Sequence, residues 1–74
     1  MSFRFHLVGP GLEPEPIGRP VDDGGQAIAY AQRLAIDLAE ERQDLLGKSY
    51  AIAVTDDTGK EFHREHIDSA EKHA

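Results

Sequence analysis

Residues 26–46 read QAIAYAQRLAIDLAEERQDLL, and this stretch decides the fold of the chain. Its apolar residues recur at steps of three and four, which is the period of an amphipathic helix. Asp23 precedes it, where a carboxylate can accept a backbone N–H of the first helical turn. Gly47 follows it, where a left-handed residue can end a helix. The sequence therefore predicts one long helix from Gln26 to Leu46.

Segments with the pattern of strands lie on both sides of this helix. Residues 3–8 and 49–55 alternate large side chains with small or polar ones, as half-buried strands do. The turn residues 56–59 favour a hairpin that returns through residues 60–64, with Phe62 pointing inward. Residues 17–21 can form a short strand beside the first, because proline is tolerated at a sheet edge.

This order predicts an α+β fold of the form β-β-α-β-β, in which one long helix packs on one face of a small antiparallel sheet. The chain, residues 1–74, has the length of a single domain. All four prolines and three of the glycines lie in residues 9–20, which we expect to be mainly a loop. Residues 66–74 have few apolar anchors, and we expect this tail to fray.

The composition argues against several classes of function. The chain has 8 Lys and Arg against 14 Asp and Glu, a net charge of −6, and lacks a basic stripe for nucleic acid. Its apolar stretches are too short to cross a membrane, and its start does not read as a secretory signal, so we expect a cytoplasmic protein. Cysteine is absent, which excludes disulfides and thiolate metal sites.

Catalytic motifs are also missing from the sequence. Gly47-Lys48-Ser49 is similar to the end of a phosphate-binding loop, but the earlier glycine is replaced by Arg42. Adjacent carboxylates at 22–23, 40–41 and 56–57 fit a helix start, a helix surface and a turn. We therefore predict that the protein is not an enzyme and uses no cofactor.

A histidine cluster provides an alternative function. His63 and His66 lie close in sequence, and His6 could project from the same sheet face as His63 if the first and last strands are neighbours. Imidazoles suit zinc, nickel or cobalt. A strand would separate His63 from His66, whereas a helical turn would bring them together. The alternative is therefore a metal-binding protein that uses His6, His63 and His66.

Because one helix covers one face of the predicted sheet, the other face lacks a partner. We predict that its small and charged residues form a protein interface: Arg4, His6, Ala51, Ala53, Glu61 and His63. A small domain without disulfides often depends on a second subunit. The prediction is a homodimer joined through this face or through a strand edge, with another protein as the other possible partner.

Three segments carry a resemblance to a known family. They are Phe3-Arg4-Phe5-His6-Leu7, then Gly18-Arg19-Pro20-Val21-Asp22 before the alanine-rich helix, and Ile52-Ala53-Val54-Thr55-Asp56-Asp57-Thr58-Gly59. With them the chain resembles, over most of residues 3–62, short bacterial proteins common in rhizobia that are described as a domain of unknown function. It departs from that family in its proline-rich loop and in its ending. The resemblance implies a small α+β fold with no established activity.

Overall fold

The structure is a computed structural model that describes residues 2–45 and 47–67, without the side chain of Gln43. In chain order its elements are β1 (Phe3–Gly9), β2 (Leu12–Val21), α1 (Gly24–Glu41), a 3-10 turn (Gln43–Leu45), β3 (Ala51–Thr55) and β4 (Glu61–His66). The strands form one antiparallel sheet in the order β2-β1-β3-β4. The predicted α+β fold with the order β-β-α-β-β is confirmed.

The two central strands, β1 and β3, carry the core on one face of the sheet. Phe5 pairs with Val54 and Leu7 pairs with Ile52, and all four side chains are buried. Residues that stand directly opposite each other in antiparallel strands point to the same face. The alternation in β1 and β3 therefore makes one apolar face.

Helix α1 packs on this apolar face through small side chains. The buried positions of α1 recur every four residues: Ala27, Ala31, Ala35 and Ala39. Because alanine has only a methyl group, the helix backbone can lie close to the strands. The Tyr30 ring meets the Phe5 ring edge-on, with their centroids 4.9 Å apart. Within the described residues, no helix combines the length and the apolar character that crossing a membrane requires.

The Asp23 cap of α1 is as predicted, but the helix begins at Gly24, two residues before Gln26, and its end differs more. The Asp23 side chain accepts a hydrogen bond of 2.9 Å from the backbone N–H of Gln26, which confirms the helix cap. The helix ends at Glu41, whereas we expected Leu46, because Arg42 leaves the helical conformation with φ −130° and ψ 74°. Two acidic residues precede that point at the negative end of the helix dipole, which destabilises the last turn.

The chain continues past α1 in a 3-10 turn that buries Leu45. Gly47 then adopts φ +75°, the left-handed conformation expected from its position as a helix cap. It ends this short turn instead of the long helix. The apolar residues of this stretch are thus divided between α1 and the 3-10 turn, whereas we expected a single helix.

Strand β2 begins much earlier than the sequence indicated. Residues 9–20 were expected to be mainly a loop, but β2 runs from Leu12 to Val21. Pro10 and Gly11 form the tight turn before it, with Gly11 at φ +71° as a type II turn requires. Since an edge strand donates hydrogen bonds on one side only, prolines fit where the missing N–H would face solvent. Pro16, opposite His6, occupies such a position.

A bulge interrupts the pairing of β2 with β1. Phe3 pairs with Val21 and Phe5 pairs with Ile17, so three residues of β2 stand opposite one residue of β1. Gly18 lies in this bulge at φ +65°, and a Cβ there would stand 2.7 Å from the Tyr30 hydroxyl oxygen. Glycine is therefore required at this point, and the extra residues lift β2 away from regular pairing.

The hairpin between β3 and β4 is as predicted. The Asp56 carboxylate accepts hydrogen bonds from the Thr58 hydroxyl at 2.6 Å and from the backbone N–H of Lys60 at 3.1 Å. The first of these is the main reason why the pKa of Asp56 lies below its ordinary value. Gly59 takes φ +85° in the same turn.

The chain stays ordered beyond the point where we expected the tail to fray. His66 is the last residue of β4, and Ile67 is fully buried. The backbone N–H of Ile67 donates to the carbonyl oxygen of Tyr50 at 3.2 Å. The expectation of fraying was therefore wrong for residues 66–67. The rest of the expected frayed tail, residues 68–74, lies outside the described residues.

Candidate functional site: the open face of the sheet

The sheet face turned away from α1 is the candidate functional site, and we call it the open face. Its residues form three rows across β1, β3 and β4: Arg4–Thr55–Glu61, His6–Ala53–Arg64 and Val8–Ala51–His66. Ala51 and Ala53 are buried, but neither belongs to the core cluster that α1 covers. Ala53 lies between His6 and Arg64, and Ala51 lies between Val8 and His66. Because these neighbours have longer side chains, the centre of the open face is a shallow depression.

The structure brings together most of the residues that we predicted for the interface. Five of the six lie on the open face: Arg4, His6, Ala51, Ala53 and Glu61. They come from three strands and are joined only by the sheet pairing. Their participation in binding stays a prediction, whereas their common placement follows from the strand register.

His63, the sixth residue, was predicted on the open face, and this placement was wrong. It pairs with Val54, so it points to the face that α1 covers. Its Nε2 atom lies 3.1 Å from Oε1 of Glu65, and both side chains are partly buried. This histidine therefore has a carboxylate neighbour on the helix side of the sheet.

The physical reason is a bulge in β4. Thr55 pairs with Glu61 and the next residue back, Val54, pairs with His63, which leaves Phe62 as an extra residue. The Phe62 ring packs against the Phe3 ring, with centroids 4.7 Å apart, while 45% of Phe62 stays exposed. The extra residue reverses the alternation for the rest of β4.

The reversed alternation places Arg64 and His66 on the open face, where sequence reasoning did not expect them. A signal for this exists in the sequence. Phe62 and Ile67 are the two apolar anchors of the last segment, and they are five positions apart. An odd separation cannot put both on one face of a regular strand. Counting the alternation back from Ile67 would have given the correct faces.

The three histidines of the metal alternative are not assembled into a site. His6 and His66 share the open face but lie on β1 and β4, in different rows, with β3 between them. His63 points to the other face. In the part of the chain that the structure describes, no group of three or more His, Asp or Glu side chains could hold a metal ion.

One ion pair crosses the β4 end of the open face. The Arg64 guanidinium donates to Oε1 of Glu61 at 2.8 Å. This hydrogen bond lowers the pKa of Glu61 below its ordinary value and raises that of Arg64. Both side chains are about half exposed, so the pair contributes little to stability. It neutralises the charge of this part of the face.

At the β1 end of the open face, the arginine side chain is not part of an ion pair among the described residues. Arg4 and His6 lie between two shallow pockets, one shared with the β2 bulge and Arg19, the other with Asp56 and Asp57. Within residues 2–45 and 47–67, neither Arg4 nor Arg19 has a carboxylate within ion-pair distance. Arg19 was not among the predicted site residues, since only the bulge brings it beside Arg4.

Comparisons with known proteins identify a family for this chain. A family model described as Domain of unknown function (DUF6894) matches residues 2–68. The match confirms the resemblance to a family of unknown function, while the bacterial and rhizobial origin stays a prediction. Among curated proteins and among solved structures, nothing matches the chain.

Proposed function

Since the chain belongs to the family described as Domain of unknown function (DUF6894), its role must be inferred from its own surface, and we propose that it is a protein-interaction module. In this proposal two copies associate through their open faces to form a homodimer. The protein acts in the cytoplasm by contact with proteins and does not catalyse a reaction.

The observation that carries this proposal is that α1 covers one face of the sheet and the other face has small residues at its centre. Ala51 and Ala53 are small and bring no charge to the centre of this face, and the neighbouring side chains leave only 1% and 5% of them exposed. The centre of a protein interface is typically depleted of charge, with polar residues at its rim. The open face has this arrangement, because its charged residues lie on β1 and β4, on either side of the alanines of β3.

The dimensions of the molecule fit a pairing of two copies. Its two longer extents are 33 and 27 Å and its shortest is 15 Å. The outline of 33 by 27 Å encloses about 900 Å², comparable with the roughly 800 Å² that each partner buries in a standard protein interface. A dimer of standard size would therefore use most of one side of the molecule.

Pairing through the β2 edge is less favourable than pairing through the open face. Pro14 and Pro16 are two residues apart in β2, so both lack an N–H on the same side of the strand. Because another strand would need donors there, the prolines protect this edge against strand addition. The β4 edge is the other route to a dimer, and the experiment below separates it from the open face.

The test is a substitution at the centre of the open face. In Ala53→Glu a carboxylate projects from the central strand β3 into the proposed interface, where burying an unpaired charge is costly. We expect the wild type to have the mass of a dimer by light scattering and Ala53→Glu to have the mass of one chain. A dimer formed through the β4 edge would survive this substitution, so an unchanged mass contradicts the proposal.

Two further variants control this experiment. Ala29→Glu makes the same chemical change on the exposed side of α1, and we expect it to remain a dimer. Val8→Glu places the charge on β1, in the row of Ala51, and we expect a single chain. Circular dichroism shows whether each variant is folded, so a loss of the dimer with a retained helix signal supports the open face.

A further inference from the structure

The pocket beside the β2 bulge combines two arginines and a histidine from neighbouring strands. Arg4 and His6 come from β1, and Arg19 comes from the residues that the bulge pushes out of regular pairing. Its other lining residues are uncharged, and they include Pro16, Ile17 and Pro20. The pocket therefore contains two guanidinium groups and no acidic side chain.

These arginines are unusual for a chain in which acidic residues outnumber basic ones by 14 to 8. Three other arginines of the described residues have carboxylate partners: Arg33 with Asp37, Arg42 with Asp44 and Arg64 with Glu61. Within the same described part of the chain, Arg4 and Arg19 form no ion pair. Asp56 and Asp57 line the neighbouring pocket with Arg4. Asp57 accepts a hydrogen bond from the backbone N–H of Ser2, and Asp56 accepts hydrogen bonds within its own turn.

We infer that Arg4, His6 and Arg19 bind a single oxyanion group, a phosphate or a carboxylate. A guanidinium presents several N–H donors in a plane, which matches the oxygens of either group. The imidazole of His6 adds a further donor. This inference goes beyond the proposed dimer, with which the pocket shares Arg4 and His6 of the open face, whereas Arg19 belongs to the β2 bulge.

The size of the pocket and the charge of the chain limit the ligand to a small group. The pocket has a volume of about 160 Å³, below the roughly 300–1,000 Å³ of pockets that enclose drug-sized ligands. A long polyanion would also meet the acidic remainder of a chain with a net charge of −6. A single phosphate or carboxylate carries fewer charges and meets less of that repulsion.

The test is an NMR titration of the full chain with inorganic phosphate and, separately, with acetate at constant ionic strength. We expect saturable shifts at the backbone amides of Gly18 and Arg19, with a dissociation constant on the order of 1 mM for a few charge-assisted hydrogen bonds. Arg19→Ala should raise this constant about tenfold. The anion that binds more tightly shows whether the natural group is a phosphate or a carboxylate.

Arg33→Ala is the matched control, because it removes the same charge from an exposed side chain on α1 that is paired with Asp37. We expect it to bind like the wild type. If neither anion gives saturable shifts, or if both arginine variants weaken binding equally, the pocket is not a binding site. Light scattering of Arg19→Ala should still give the mass of the wild type, because Arg19 lies outside the three rows of the open face, and this separates the pocket from the dimer.

Discussion

Ile52→Ala is expected to remove a large part of the stability of this protein. Ile52 is fully buried in the central strand β3, between Leu7 of β1 and Glu65 of β4. Truncating a buried isoleucine leaves a cavity that costs about 2–5 kcal/mol. A domain of 74 residues has about 4–11 kcal/mol in total. Thermal unfolding followed by circular dichroism should show a midpoint lowered by at least roughly 8 °C.

The matched control is Ile36→Ala, which makes the same truncation on α1 at a side chain that is 39% exposed. We expect a change within about 0.5 kcal/mol, since an exposed site leaves no closed cavity. All proteins must be compared at one concentration, because the stability of a dimer depends on it. Equal losses in the two variants would contradict the assignment of the core to the face between β3 and α1.

Ala31→Leu is expected to have the second largest effect, in this case by overpacking. Ala31 is fully buried at the middle of the alanine stripe that faces the sheet. Leucine has about the same helix propensity as alanine, so the helix itself is not weakened. Its larger side chain must push α1 away from the strands, at a cost of about 1–3 kcal/mol. Urea unfolding should show a lower midpoint with an unchanged slope.

Ala29→Leu provides the comparison, because Ala29 lies on the exposed side of the same helix. The same methyl-to-isobutyl change there meets solvent, and we expect a midpoint close to that of the wild type. If Ala31→Leu is as stable as Ala29→Leu, then α1 does not approach the sheet through its alanines. The layered arrangement would then need revision.

The parts of the fold that local chemistry determines were predictable from the sequence. Asp23 precedes the apolar stripe, and its carboxylate caps α1 as expected. In β1, Phe3 and Phe5 alternate with polar residues, and the buried face follows from that alternation. The turn at Gly59 needs a positive φ, which glycine supplies. Each of these features depends on neighbours within a few residues.

Features that depend on distant pairing were harder to predict. Prolines disfavour regular strands, so residues 9–20 were expected to be mainly a loop. Only the pairing with β1 shows that Pro16 lies where its missing donor costs nothing. The bulge at Phe62 likewise depends on packing against Phe3, at the other end of the chain. Because this bulge was not predicted, His63 was assigned to the wrong face of the sheet.

The candidate site also has one part that could be predicted from local sequence and one part that depends on distant pairing. The central alanines of the open face, Ala51 and Ala53, were predictable because β3 alternates regularly. The pocket with Arg19 was not, since the extra residues of the β2 bulge set the position of that side chain. A single strand pattern has no information about which cross-strand neighbours a bulge will expose.

The central claim is that two copies of the chain associate to form a homodimer. Sedimentation equilibrium of the wild type at micromolar concentration tests it most directly, because the method gives the mass without assuming a shape. The chain has a mass of 8.2 kDa, and we predict an equilibrium mass of about twice that value. A mass of 8.2 kDa across the concentration range would contradict the claim.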